Sequence, residues 1–378
     1  MNPEILIIGG GVIGLSIVRE LHKSGVKRIT VLEKGRCGEE SSWAAAGMLG
    51  PQAEADESGT FFEMTVSSRE MYPQFAADLL DETGVDIELD RQGTLYLAFS
   101  DEDVDEVHKR LKWQRKVGLP VEHLSADDAR RAEPFISTDV RGALLFPDDW
   151  QVENRKLLAA LKSYAELNGI EIREDSPVEQ LIVEDSRVIG ARTPTETFYA
   201  GDTILATGAW TSLIKLGDAD MPLKVEPVRG QIVAFQTAKR LFRHVIYSRR
   251  GYIVPRADGR ILAGSTSENK GFEKTVTDTA ADALRQMAAE IAPNLSSLAI
   301  TDHWSGLRPF AMDGLPVLGA FTGIGGLTIA TAHYRNGILL APLTARIVAD
   351  KVLKDVEPSY LAAFSPNRFR LRSVGKVS

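Results

Sequence analysis

One cysteine, Cys37, stands in 378 residues, so neither an internal disulfide nor a cysteine-cluster metal site is open to this chain, a usage that fits a reducing cytoplasm. Long apolar runs are also missing. The first, at 5–8, is too short for a signal-peptide core, lacks a basic flank and ends in glycines, and no later run approaches a membrane span. Positive charge is in deficit: 44 Lys+Arg against 52 Asp+Glu give a net charge of -8, which argues against a nucleic-acid surface. Arg368, Arg370, Arg372 and Lys376 read as a solvated basic tail. The 6 His show no metal-ligand spacing, and His333 reads as structural rather than as a base. No Gly-x-Ser-x-Gly elbow or Cys/His pair points to nucleophilic catalysis, and no repeat or Pro/Ser-rich linker divides the chain. The expectation is a soluble, cytoplasmic protein without metal, nucleic-acid partner or membrane span. Its length implies two domains, interleaved rather than strung in series.

Glycine is what the chain does have, and in a telling place. The apolar run Ile5-Leu6-Ile7-Ile8 leads into Gly9-Gly10-Gly11-Val12-Ile13-Gly14, after which Ile13, Ile17 and Leu21 repeat at helical spacing. Strand, tight turn and helix beginning near Val12 follow from that pattern. Bare backbone at Gly9 and Gly11 would let a pyrophosphate reach N–H groups and the positive helix end, and Gly14 would let the helix pack close to the strand. The next strand, 28–32, ends in Glu33, 19 residues past Gly14, placed to accept hydrogen bonds from a ribose. This is a dinucleotide-binding βαβ unit. Small residues at Ser41, Ser42, Ala45, Ala46 and Gly47, with Met48, then suit close approach of a bulky planar ring.

Further along, helical patterns occupy 63–83, 101–117 and 154–168, and the alternating runs 87–90 and 94–97 predict an antiparallel hairpin around Arg91-Gln92-Gly93. Strands are expected at 169–173, 178–183, 188–192 and 203–206. Residues 223–308 read as mostly strands with a helix near 279–291, and a last helix should begin near Asn336.

Seven stretches in order, "IIGGGVIG" with Glu33, "SSWAAAGMLGPQAE", "ATGAW", "PVRGQ", "GYIVPR", "WSGLRPFAMDGLPVLG" and "HYRNGILLAP", resemble the D-amino acid oxidase family of flavoenzymes, and more closely its glycine oxidase branch of thiamine biosynthesis. The resemblance implies an α/β (α+β overall) fold: a Rossmann-like FAD-binding domain (1–50, 140–220 and 309–378) interleaved with an antiparallel-sheet substrate domain (51–139 and 221–308). It implies non-covalent FAD held by Gly9, Gly11, Val12, Ile13, Gly14, Glu33, Ser41, Ser42, Ala45 to Met48, Val178, Ala206, Thr207, Gly208, Trp210, Arg335 and the helix start Asn336, Gly337, Ile338 and Leu339. Arg308 is matched to the arginine that forks onto the substrate carboxylate and Tyr252 to the tyrosine beside it, with Arg335 and Met48 close to the pocket. Glycine would be oxidised with oxygen as acceptor, with sarcosine and small D-amino acids as secondary substrates. A homotetramer and product handover to a thiazole synthase are further implications. Two other readings stay open: a flavin dehydrogenase using another acceptor, and a dinucleotide-binding regulatory subunit without turnover. Ser267 stands where some relatives carry a larger apolar residue, and Cys37, next to the adenosine end, is expected to be a bystander.

Overall fold

The computed structural model describes residues 4–369. Two sheets dominate. Four apolar residues in each of Ile5–Ile8 and Ile29–Leu32, buried throughout, make the centre of a six-stranded sheet. Its order is Val317–Gly319, Leu327–Thr331, Asp202–Leu205, Ile5–Ile8, Ile29–Leu32, Glu171–Arg173, parallel except for the first pair. Burial of both strand faces is what a parallel sheet covered by helices requires. The helices Val12–Lys23, Asn154–Leu167 and Gly337–Lys354 contribute Leu15, Leu161, Leu340 and their neighbours to one core with Ile7 and Val31.

An eight-stranded sheet runs Ile300–Ala311, Val225–Gln236, Arg260–Gly264, Gly251–Pro255, Val245–Ser248, Thr94–Ala98, Gly142–Phe146, Glu122–Ser125. All its pairings are antiparallel except that of Val245–Ser248 with Thr94–Ala98. The helix Asp278–Ile291 packs Leu284, Ala288 and Ile291 against it in a second core with Val233 and Ile253. A four-stranded sheet built on Gln180–Glu184 and Arg187–Arg192 lies beside the first.

Helices at Thr60–Thr83, Asp101–Lys116, Asn154–Leu167 and Asp278–Ile291 agree with the periodicity. The expected hairpin does not form. Glu88 has φ 52, which breaks an extended run, and Asp90 instead exchanges backbone hydrogen bonds with Gln151 at 2.8 and 3.0 Å. Thr94–Ala98 is buried on both faces and pairs with Gly142–Phe146 and Val245–Ser248. Two segments also cross the expected domain boundaries: Gly142–Phe146 lies in the eight-stranded sheet, and Thr60–Thr83 packs on the last α-helix, where Ser68 Oγ donates to Leu339 O at 2.7 Å. Arg368 is no solvated tail residue. It donates to Asp313 at 2.8 and 3.1 Å and to Leu315 O at 3.0 Å, whereas Arg370, Arg372 and Lys376 lie outside the described residues.

Candidate active site

Between the two large sheets lies a cavity of about 410 Å³, lined at one end by the glycine turn and at the other by the eight-stranded sheet. The glycines divide by task. Gly9 has φ +108, and a Cβ there would fall 2.4 Å from Ala206 O; at Gly14 it would fall 1.9 Å from Gly9 O. Gly9 is thus required first by the neighbouring strand end and Gly14, which does not line the cavity, by helix packing. Gly11 faces the cavity, and its Cβ would meet Ser42 Oγ alone, at 3.3 Å. Val12 and Ile13 line the wall beside it, and Ser42 Oγ accepts the Val12 N–H at 3.1 Å. Glu33, 7% exposed, also lines the cavity while its two oxygens accept the N–H groups of Gly10 at 2.8 Å and Gly35 at 3.1 Å. Cys37 packs on the far side of the turn, its Sγ 2.4 Å from where a Gly10 Cβ would be. Burial, then the nearby Glu33 charge, pushes that thiol up to about 12.

Side-chain donors hold four carbonyls of the segment 41–48, and Ser41 ties it back to the sheet. Ser41 Oγ donates to Leu307 O, Trp304 Nε1 to Ala44 O at 3.0 Å, and Asn154 Nδ2 to Ser42 O and Trp43 O, both at 2.9 Å. Arg256, fully buried, donates to Ala46 O at 2.9 Å, Asn154 Oδ1 at 3.0 Å, Val152 O at 2.7 Å and Gln151 Oε1 at 3.1 Å. Ala45, Ala46, Gly47 and Met48 line the cavity. Arg256 and Asn154, which hold them there, were not anticipated; Arg256 closes the "GYIVPR" stretch and was the available signal.

Ala206, Thr207, Gly208, Trp210 and Val178 line the same space, Val178 just before the strand Gln180–Glu184 rather than within it. At the start of Gly337–Lys354, Asn336 makes no side-chain cap, so the positive helix end meets the cavity at Gly337 and Ile338. Leu339 does not line it. Its side chain, 2% exposed, belongs to the core beneath. His333 also lines the cavity, but burial pushes its imidazole down to about 3 and Nε2 lies 3.0 Å from Thr344 Oγ1, consistent with a neutral structural residue.

At the far end Arg308 comes off Ile300–Ala311 and rests on neutral partners: Nη2 donates to Ser265 Oγ at 2.7 Å and Nη1 to Thr266 O at 3.1 Å. Tyr252, 5% exposed, lines the same end with its hydroxyl against Gly264, the residue before Ser265. Its ring stacks on Tyr247 at 6.4 Å, and Tyr247 stacks on Tyr96 at 5.7 Å. Arg335 is committed differently: Nη2 donates to Tyr247 OH at 2.9 Å and to Glu54 Oε1 at 3.3 Å. Glu54 and Tyr247 were missed as site residues, although Glu54 ends the quoted "GMLGPQAE" stretch. Ser267 is exposed and away from the cavity; Ser265 is the lining residue there.

A cavity that runs from a βαβ turn to a buried tyrosine and an arginine with no acidic partner among the described residues fits a flavin-dependent oxidoreductase rather than a nicotinamide domain standing alone. The profile of FAD dependent oxidoreductases matches residues 4–351, and the chain belongs to that family. Glycine oxidase of Pseudomonas aeruginosa is 34% identical over 351 residues, 93% of this chain and 94% of that one. The bifunctional protein ThiO/ThiG of Trichormus variabilis is 35% identical over 98% of this chain and 56% of its own length. The crystal structure of glycine oxidase from Geobacillus kaustophilus superposes with a TM-score of 0.92 at 34% identity, covering 97% of this chain and 99% of that one. The protein is an FAD-dependent oxidoreductase of the amino acid oxidase type, with the mixed α/β fold of that family.

Proposed function

We propose that this enzyme oxidises glycine, with sarcosine and small D-amino acids as slower substrates: glycine, oxygen and water give glyoxylate, ammonia and hydrogen peroxide. The observation that carries the reading is Arg308, a guanidinium in the cavity wall satisfied by a hydroxyl and a carbonyl, with its fork available to a substrate carboxylate. Tyr252 supplies a second hydrogen bond, and Met48 and Ala46 border the reacting end. FAD would lie along Gly11, Glu33, the 41–48 segment and the uncapped start of Gly337–Lys354, whose dipole favours negative charge on the cofactor. When bound, FAD would supply the hydride acceptor; Arg308 and Tyr252 would position the substrate Cα beside it and exclude water, with no acid–base residue needed. The imine is then hydrolysed.

Non-covalent attachment is part of the proposal, supported by Cys37 packing behind the glycine turn and outside the cavity. So is a division into an FAD-binding unit around the six-stranded sheet and a substrate unit around the eight-stranded one. Delivery of product to a thiazole synthase is supported by the ThiO/ThiG relative, a cytoplasmic location by the single cysteine, and a homotetramer by family resemblance. The deciding experiment is anaerobic mixing with glycine. Flavin absorbance near 450 nm, on the order expected for any flavoprotein, should bleach and then recover with stoichiometric peroxide on readmission of air. Bleaching without peroxide would point to a dehydrogenase, and no bleaching with any amino acid would overturn the reading.

A further inference from the structure

We propose that Glu54 is a specificity-determining residue: by occupying Arg335 it leaves Arg308 as the one guanidinium of the pair open to a carboxylate, and so restricts the site to monocarboxylate amines. This deepens the reading above and rests on it. Both arginines line one cavity, yet their partners differ in kind. Arg308 Nη2 and Nη1 meet Ser265 Oγ and Thr266 O, both neutral. Arg335 Nη2 meets the Glu54 carboxylate at 3.3 Å and the Tyr247 hydroxyl at 2.9 Å. Its charge is therefore paired where the cavity opens to solvent, with Arg335 38% exposed, at a place where a second substrate carboxylate would otherwise find it.

Arg335 is partly open to solvent, but the groups that meet it are themselves held in place. Glu54 ends the short helix Pro51–Glu54, whose Gln52 and Ala53 N–H groups are anchored on the buried Asp149 carboxylate at 3.1 and 2.7 Å. Tyr247 is held from both sides by the stacked rings of Tyr96 and Tyr252. Tyr252, in turn, reaches Gly264 beside the Arg308 partner Ser265, so one continuous line of contacts joins the two guanidiniums. Glu54 also lines a separate outer hollow of about 680 Å³ with Tyr96 and Tyr247, which places its pair with Arg335 at the boundary between cavity and exterior. A dianionic amine arriving there meets a carboxylate already on the second arginine; rejection comes from that repulsion together with the missing partner.

The test uses FAD-loaded enzyme and inert anions, read as perturbation of the flavin spectrum: acetate against malonate, succinate and glutarate. The parent should favour acetate. Glu54→Gln keeps the size and one hydrogen bond to Arg335 but removes the charge, and the best dicarboxylate should gain roughly tenfold relative to acetate, the scale of one charge-assisted hydrogen bond. Glu54→Ala should shift the ratio in the same direction, and Arg335→Met added to Glu54→Gln should abolish the gain. An unchanged ratio, a gain that survives loss of Arg335, or no binding of any anion overturns the proposal. Loss of the functional reading looks different: the ratio shifts as stated while glycine fails to bleach the parent.

Discussion

At Gly230 a missing side chain makes room for a charge. Val228 stands opposite Arg308 across the strand pair, Gly230 lies two residues along on the same face, and a Cβ there would fall 2.1 Å from Arg308 Nη2. The obstacle is the far end of a flexible side chain and not backbone, so Gly230→Ala should fold normally but push the guanidinium out of register. We expect KM for glycine to rise roughly tenfold with melting temperature nearly unchanged, whereas Arg308→Ala should lose about 2–5 kcal/mol of carboxylate binding. Steady-state kinetics beside a thermal melt decide it; a Gly230→Ala enzyme with parental KM sinks the positioning argument. Gly14 sets the contrast, since its Cβ would strike the Gly9 carbonyl and an alanine there should unfold the turn. Sequence alone made Gly9, Gly11, Gly14 and Glu33 legible because turn, helix and acid are local. It made Gly230 visible only as a letter in "PVRGQ", because its reason lies in a cross-strand register. Glu54, Tyr247 and Arg335 were illegible as a group for the same cause: their meeting is a product of the fold, not of spacing.

At the scale of elements, the periodic helices were readable and the failures came where an element's partner is remote. The run 87–90 alternates like a strand, yet its outcome was set by Gln151, not by the nearby 94–97. The short helix Pro51–Glu54 offers a test of such remote control. Asp149, fully buried, holds its first N–H groups, and burial pushes that carboxyl up to about 7 despite the two hydrogen bonds that favour the anion. An unfolded aspartate titrates near about 3.9. The folded state therefore binds the extra proton between those values, and the stability Asp149 contributes is fullest below the unfolded value and lost as pH rises through about 7. Asp149→Asn cannot titrate. Denaturant melts at intervals from about pH 5 to about pH 9 should show the parent's advantage over the variant shrinking with rising pH. Parallel curves, or an advantage that grows, would refute the assignment of that carboxyl.

For the molecule as a whole, the cavity is where two sheets built from interleaved segments face each other, and its walls come from both. The glycine turn belongs to the six-stranded sheet, Arg308 and Tyr252 to the eight-stranded one, and the 41–48 segment between them is tied to Arg256 of the latter and to Asn154 beside the former. A ligand that lies along all of these stabilises the folded state of both units by RT ln(1 + [L]/Kd), about 2.7 kcal/mol at a hundredfold excess over Kd. FAD added back to apoenzyme should accordingly raise a single unfolding transition by a few degrees, followed both by tryptophan emission and by heat capacity. ADP, which on the proposed placement fills only the Gly11 and Glu33 end, should raise it less. Arg256→Met should weaken this linkage at its hinge: the buried guanidinium bridges Ala46 O to Asn154 and Val152, and without it Ala46 O in the 41–48 segment loses its donor. That variant should melt earlier and gain less from FAD than the parent does. Two separate transitions in the parent, of which FAD moves one alone, would show that the cavity does not couple the sheets.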